Sequence, residues 1–362
     1  MPALYRDPLV DNVGVWGIPT STLDWCEENY AVTRYVAEFW NTITNYFMVV
    51  PPLLAALRCH QLGLDTRFLL SFLSFMGIGV GSTLFHATLQ YKMQLLDELP
   101  MIYCTYIMLY CVLACDNEPR KKNVGLKLFL TVCNILVTVV YVVFVNPLIF
   151  QWVYGLSVAV LIISTVHSAR YHRFIYISFL DLYCTPNLVL MHTSYFLIFV
   201  KSNNKNEKKE VHFSSRKHNV SQGLSFSAFV CYGIGFILWN IDNAFCTHVR
   251  YFRGLIPWPF NALGQLHGWW HCFAAFGGYF QILYTIDLRV KCMKNKRKSE
   301  QNGSHQNGGT DIRPLGKKNI SSRMFRDLWC WIPVRSRRKY DPEYGVNNNT
   351  IISNGSSKHM RT

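Results

Sequence analysis

Residues 67–88 (RFLLSFLSFMGIGVGSTLFHAT) carry no charged side chain after Arg67, and stretches of this kind recur along the chain. About 20 mainly apolar residues are what a helix needs to cross a lipid bilayer. Inside lipid every backbone N–H and C=O must be satisfied within the structure, which leaves helices as the reading for runs of this length. Six such runs stand at about 37–57, 67–88, 96–115, 124–145, 147–167 and 224–246, and a seventh at about 259–284 contains histidines but no acid or base. They predict an all-α integral membrane protein, a seven-transmembrane helix bundle. With 50% apolar and 16% charged residues, the chain is too apolar for a soluble domain unless its apolar residues gather into spans. Met1 to Tyr30 lacks the charged, apolar and small-residue succession of a cleaved signal peptide.

The formal charge of +15 does not point to nucleic acid, because the excess lies in loops and in the Lys-, Asn-, Ser- and Gly-rich residues from Arg289 onward. Three parts are therefore expected: a luminal N-terminal segment over 1–36, a transmembrane domain over 37–288, and a disordered, basic, cytosolic tail over 289–362. With the C-terminus cytosolic and seven spans, the N-terminus is luminal. The loops then alternate as the positive-inside bias requires. Predicted cytosolic loops carry Arg58 with Arg67, Arg120 with Lys121 and Lys122, and Arg170 with Arg173; predicted luminal ones carry Lys92, no base, and Arg250 with Arg253. Residues 174–200 form a further apolar stretch broken by Asp181 and Pro186. Were it to span, His267 and His271 would move to the opposite face from His86, so 174–222 is read as a non-spanning insertion.

Of twelve cysteines, most fall in spans or on the predicted cytosolic side, Cys115 and Cys292 among the latter, and are expected to be buried small hydrophobes or thiols. Only Cys26 and Cys246 fall in predicted luminal segments, which makes them the candidate disulfide pair.

Ionisable residues within spans are costly and point to function. Ser82 and His86 are four residues apart and share a helical face at the end of the second span. Asp97 follows at the start of the third. His267 and His271, again four apart, open the last span on the same predicted side. Three neutral imidazoles with a free position form the ligand set of a catalytic zinc site. Asp97 is the candidate to accept the proton of a zinc-activated water, and Ser82 to donate to an oxyanion. A second cluster, Asp24, Trp25, Glu27, Asn29 and Glu38, offers oxygen ligands suited to calcium. Without the spacing of an EF-hand loop, it equally suits a helix N-terminus with Asp24 as cap and Glu27 closing a capping box. Asp242, at the end of the 224–246 run, is expected to bond between helices or to the N-terminal segment.

Taken together, DWCEENY with EFWNT, the GSTLFHATL and LLDELPM stretches between Gly81 and Met101, FILWNIDNAFC ending at Cys246, and QLHGWWH from Gln265 to His271 closely resemble the motifs of the alkaline ceramidase family, in the same order. The resemblance covers about 8–172 and 223–290. It implies seven transmembrane helices, an endoplasmic reticulum or Golgi location, and hydrolysis of ceramide to sphingosine and a fatty acid. It further implies zinc on His86, His267 and His271, catalytic roles for Asp97 and Ser82, and calcium on Asp24, the Trp25 backbone carbonyl, Glu27, Asn29 and Glu38. A Cys26–Cys246 bridge is implied as well. Membrane lipid and sphingolipid are the expected partners, with no obligate protein partner and no nucleic acid. The alternatives are a heptahelical receptor resembling the adiponectin receptors, which carry a similar histidine set, and a non-catalytic form in which 174–222 displaces the last two helices. The family pattern lacks 174–222 and has a shorter tail.

Overall fold

A computed structural model describes residues 14–117, 123–171, 220–305, 340–341 and 345–346. The expected insertion lies outside these residues except for its last positions, as does most of the expected tail. Nine α-helices are described: α1 (Phe39–Thr44), α2 (Tyr46–Leu62), α3 (Thr66–Thr88), α4 (Tyr91–Leu113), α5 (Val124–Phe144), α6 (Pro147–Tyr171), α7 (Val220–Ala244), α8 (Cys246–Leu255) and α9 (Leu266–His305). Among the described residues, five helical segments are long and apolar enough to cross a membrane: α3, α4, α5, Pro147–Ser168 of α6 and Gly223–Ala244 of α7.

The helices begin and end where local chemistry dictates. Asn123 caps α5 by accepting from the Leu126 N–H at 3.2 Å. Gly63, at φ 65°, ends α2 in the left-handed region that a residue without Cβ enters freely. The first expected span is split: Asn45 separates α1 from α2, and α2 carries Pro51 and Pro52 in its interior.

The seventh expected span also starts differently. Phe260–Gly264 is a short 3-10 turn, and the α-helix begins at Leu266. At its far end α9 passes Arg289, where the tail was expected to begin, and stays helical to His305. The Lys, Arg, Met and Glu residues there are good helix formers, and extending an existing helix avoids the cost of nucleation. The tail also contains an antiparallel pairing of Tyr340–Asp341 with Gly345–Val346.

Helix α3 is central, packing on α2, α4, α1 and α9, while α7 packs on α9 and α6 on α4. Phe68, Phe72, Phe75, Met108, Ile282, Leu283 and Ile286 form the main core among these helices. By contrast, only Leu130 and Tyr141 of α5 are buried, and Leu128, Phe129, Ile135, Leu136 and Val143 point outward. Such an apolar exterior is at home in lipid. Helices α3 and α4 approach closely at Gly81: a Cβ there would stand 1.9 Å from the Leu96 carbonyl oxygen and 2.9 Å from the Asp97 nitrogen. Glycine at 81 therefore brings Asp97 of α4 alongside Ser82 of α3.

The N-terminal segment lies across the ends of the helices. The last turn of α3 leaves carbonyls without intrahelical donors. Ala87 O accepts from Ala37 N at 3.0 Å and His86 O from Glu38 N at 2.9 Å. Leu89, at φ 50°, turns its carbonyl out to accept from Thr20 N and Ser21 N at 3.1 and 3.0 Å. Asp24 to Tyr30 is not helical, so the local capping box does not form. Glu27 instead caps α1 from a distance, its two carboxylate oxygens accepting from Trp40 N at 2.7 Å and Asn41 N at 2.9 Å. A cap of this kind is worth about 1 kcal/mol.

Candidate metal centre

The backbone bonds from Ala37 and Glu38 to the end of α3 set Glu38 beside His86. Both are buried, and His86 Nδ1 bonds Glu38 Oε2. The same carboxylate accepts from Trp25 N at 3.2 Å and from Asn41 Nδ2 at 3.1 Å. An acceptor on Nδ1 fixes the proton there and leaves Nε2 of His86 as the ligating atom.

His271, one turn after His267 on α9, is oriented by α1. Its Nδ1 lies 3.0 Å from Thr44 Oγ1. The Thr44 hydroxyl proton is directed at the carbonyls of Trp40 and Asn41, at 2.9 and 3.1 Å, which can only accept. The hydroxyl oxygen is therefore the acceptor for His271 Nδ1–H, and Nε2 of His271 carries the free lone pair.

His267 stacks on Trp25, with ring centroids 3.9 Å apart and planes 20° apart. Asp242 anchors the start of this turn: its carboxylate accepts from the backbone N–H of His267, and its Oδ2 from Cys26 N at 3.2 Å. It thus makes both kinds of bond expected of it. Cys26 and Cys246 are joined in a disulfide, which ties the N-terminal segment to the start of α8. Arg250 and Arg253 add four hydrogen bonds to the same segment, reaching Cys26 O, Glu27 O and the Glu28 carboxylate at 2.7–3.1 Å.

The three histidines are all buried, and one ligand nitrogen from each lies within 4.8 Å of the others. Among the described residues this is the one group of His, Cys, Asp or Glu gathered as metal ligands are. Two observations fit a metal ion. Both histidines with a fixed tautomer offer Nε2, and the buried Nδ1 of His267 finds no hydrogen-bond partner among the described residues. A buried polar atom without a partner costs about 1–3 kcal/mol, which coordination of that ring would offset. The ligand set is all imidazole, as in catalytic zinc sites that keep a position open.

The acidic cluster is assembled but differently arranged. Asn29 Nδ2 donates to Asp24 Oδ1 at 3.2 Å, and Asp24, Glu27, Asn29 and Glu38 are all buried. Burial, and next the charge of Glu38, push the Glu27 carboxyl up to about 8, against the backbone N–H groups of Trp40 and Asn41. Glu38, expected among calcium ligands, is thus also a direct partner of a histidine in the metal centre. Its sequence neighbourhood carries no sign of this, since His86 lies 48 positions on.

One intramembrane acid was passed over by the sequence reading. Glu98, beside Asp97, is buried on α4 and accepts from the Tyr141 hydroxyl of α5 and from Gln94 Nε2 at 3.2 Å. Gln94 Oε1 in turn accepts from Thr22 N at 2.8 Å. The criterion that singled out Asp97, an acid within an apolar run, applies equally to Glu98. Its partners give it a role in holding α4, α5 and the N-terminal segment together.

Comparison with known proteins bears on the same residues. The family model Ceramidase matches residues 17–307, which include every histidine, acid and cysteine of this centre. Alkaline ceramidase 3 of Mus musculus is 34% identical over 291 residues, 80% of this chain and 92% of that protein. Alkaline ceramidase YPC1 of Saccharomyces cerevisiae is 32% identical over 292 residues, 76% of this chain and 79% of its own length. Alkaline ceramidase of Arabidopsis thaliana is 26% identical over 281 residues, 76% and 87% of the two chains. A multi-pass helical bundle, a buried triad of histidines, and matches that cover 79–92% of these relatives place this chain in the ceramidase family.

Proposed function

We propose that this protein hydrolyses the amide bond of ceramide to sphingosine and a free fatty acid, at a zinc centre held by His86, His267 and His271. The observation that carries the reading is the convergence of these three buried imidazoles in a member of the ceramidase family. Zinc in such a site polarises an amide carbonyl and makes water nucleophilic near neutral pH. The protein's own groups do the rest. Asp97 accepts the proton of the attacking water and passes it to the amine nitrogen as the C–N bond breaks. Ser82 donates its hydroxyl proton to the carbonyl oxygen as negative charge builds there. Glu38 and Thr44 hold two of the rings in the tautomer that offers Nε2. The apolar helix faces take the two hydrocarbon chains of the lipid, which enters sideways from the bilayer.

The same reading gives the molecule seven spans, counting α1 with α2 as the first and α9 as the last. It puts the histidine end in the lumen of the endoplasmic reticulum or Golgi, and residues from Arg289 onward in the cytosol. The oxygen-rich cluster of Asp24, the Trp25 carbonyl, Glu27, Asn29 and Glu38 is proposed to take calcium, supported by its donor chemistry. Calcium chelation is expected to lower activity, and Asp24→Ala to make the enzyme insensitive to chelation. Full activity under chelation would remove calcium from the account.

The main test is sphingosine release from labelled ceramide by this chain in cells lacking their own alkaline ceramidases. Asp97→Asn and a chain deleted for 174–222 serve beside it. Release by the full chain that Asp97→Asn abolishes is expected. Release that survives Asp97→Asn would overturn the assignment of the base, and release only by the deleted chain would show that the insertion blocks the site.

A further inference from the structure

Far from the histidines, two thiols meet. Cys115 lies just past the end of α4, and Cys292 lies on α9, roughly 38 Å along the helix from His267 at 1.5 Å per residue. Their sulfur atoms are 3.3 Å apart, with the Cys292 thiol donating to Cys115 Sγ, and both residues are only 3% exposed. That is contact without a bond, since a disulfide requires about 2.05 Å. Charges of both signs surround the pair. Arg289 Nη1 donates to Cys115 O at 2.8 Å, and Arg67 Nη1 to Ala114 O at 2.9 Å. The facing acids are Asp65, paired with both arginines, and Asp116.

The hydrogen bond from Cys292 holds the Cys115 thiol below its ordinary value, and the same bond raises Cys292. The contact itself places one sulfur where it can resolve an oxidised form of the other. The end of the bundle matters too. Cys26 and Cys246 are joined at the histidine end, whereas this pair lies at the opposite end, which the proposed orientation puts in the reducing cytosol.

We propose that Cys115 and Cys292 form a peroxide-responsive dithiol that closes into a reversible disulfide between α4 and α9. In the first step the Cys115 thiolate attacks one oxygen of hydrogen peroxide. The O–O bond breaks, hydroxide leaves and takes up a proton as water, and Cys115 is oxidised to the sulfenic acid. Cys292 then attacks the Cys115 sulfur. The S–O bond breaks, and the departing hydroxide takes the Cys292 proton as a second water. Overall, two thiols and one peroxide give one disulfide and two waters. Near-complete burial selects a small oxidant over a bulky one such as glutathione disulfide. The bond links the helix that carries Asp97 to the helix that carries His267 and His271. Closing it needs only about an ångström of movement, so the histidine end keeps its metal.

The inference rests on the proposed orientation but not on ceramide hydrolysis, so its test is covalent. Microsomes bearing the full chain are treated with hydrogen peroxide or glutathione disulfide, blocked with N-ethylmaleimide, digested without reduction and analysed by mass spectrometry. A linked peptide joining Cys115 to Cys292 is expected to rise several-fold with peroxide, to change little with glutathione disulfide, and to vanish on reduction. In Cys292→Ser, the sulfenic acid on Cys115 should be trapped by dimedone. Recovery of the Cys26–Cys246 peptide reports that each variant is folded. Absence of the 115–292 link after peroxide, with the 26–246 peptide present, would overturn the proposal. So would a link already complete before oxidation, or one formed equally well by glutathione disulfide.

Discussion

The two ends of the helix bundle are secured by similar means and differ in what those means hold in place. At the histidine end Arg250 and Arg253 grip the carbonyls of Cys26 and Glu27; at the other end Arg67 and Arg289 grip those of Ala114, Cys115 and Asn117. Each end has a cysteine pair, one bonded and one in contact. At the histidine end, however, the clamps retain the segment before α1. That segment supplies Trp25 to His267, Glu38 to His86 and Glu27 to the start of α1. At the other end they hold the short turn after α4 and pair with Asp65 just before α3. The comparison shows that guanidinium clamps are general fastenings of this bundle, and that chemistry arises where the fastened segment carries groups that orient the histidines.

The largest effect should come from His267→Ala, which removes a ligand from the helix that supplies two. Zinc per chain, measured by mass spectrometry of purified protein, is expected to fall to background together with turnover. Asp97→Asn should separate the two quantities, keeping zinc while turnover drops about 10²–10⁴-fold. Loss of zinc in Asp97→Asn would make that residue part of the metal site instead.

The arginines test the comparison directly. Arg253→Met and Arg289→Met each remove a buried, hydrogen-bonded guanidinium, and each should cost on the order of 3 kcal/mol, read as an earlier thermal transition. Only Arg253→Met should also lower zinc occupancy; equal zinc loss in both would mean that the ends are not independent. The smallest effect is expected of Thr44→Val. Loss of the acceptor for His271 Nδ1–H should weaken zinc binding by about 10-fold, with turnover recovering when zinc is in excess. A zinc affinity unchanged in this variant would remove Thr44 from the orienting shell.

Much of this was legible in the sequence because the governing signals are periodic or rare. Long apolar runs located α3 to α7, and histidines inside such runs marked the metal centre without any contact being known. The i, i+4 spacing of His267 and His271 fixed their shared face in advance. What the sequence did not carry was set by tertiary contact. Glu27 looked like half of a local capping box, but its carboxylate caps a helix that starts twelve residues later. Glu38 looked like one oxygen ligand among several, and only the bonding of Ala37 and Glu38 to the end of α3 shows it facing His86. Thr44 carried no signal, since a threonine in a short helix ordinarily bonds back to its own turn, as this one also does. The expected run from about 259 begins before α9, because hydropathy counts Phe260 to Gly264 with the span although these residues form a 3-10 turn.

Helix α9 spans 40 residues, about 60 Å of helix, against a hydrocarbon core of about 30 Å. In the proposed seven-span arrangement roughly half its length stands clear of the bilayer, while its first two turns carry two of the three histidines. A rigid fusion partner joined in register after His305 would move as one body with the catalytic helix. It would give a small membrane enzyme a fiducial visible to electron microscopy, and a lever on which motion at the metal centre could be read from outside the lipid.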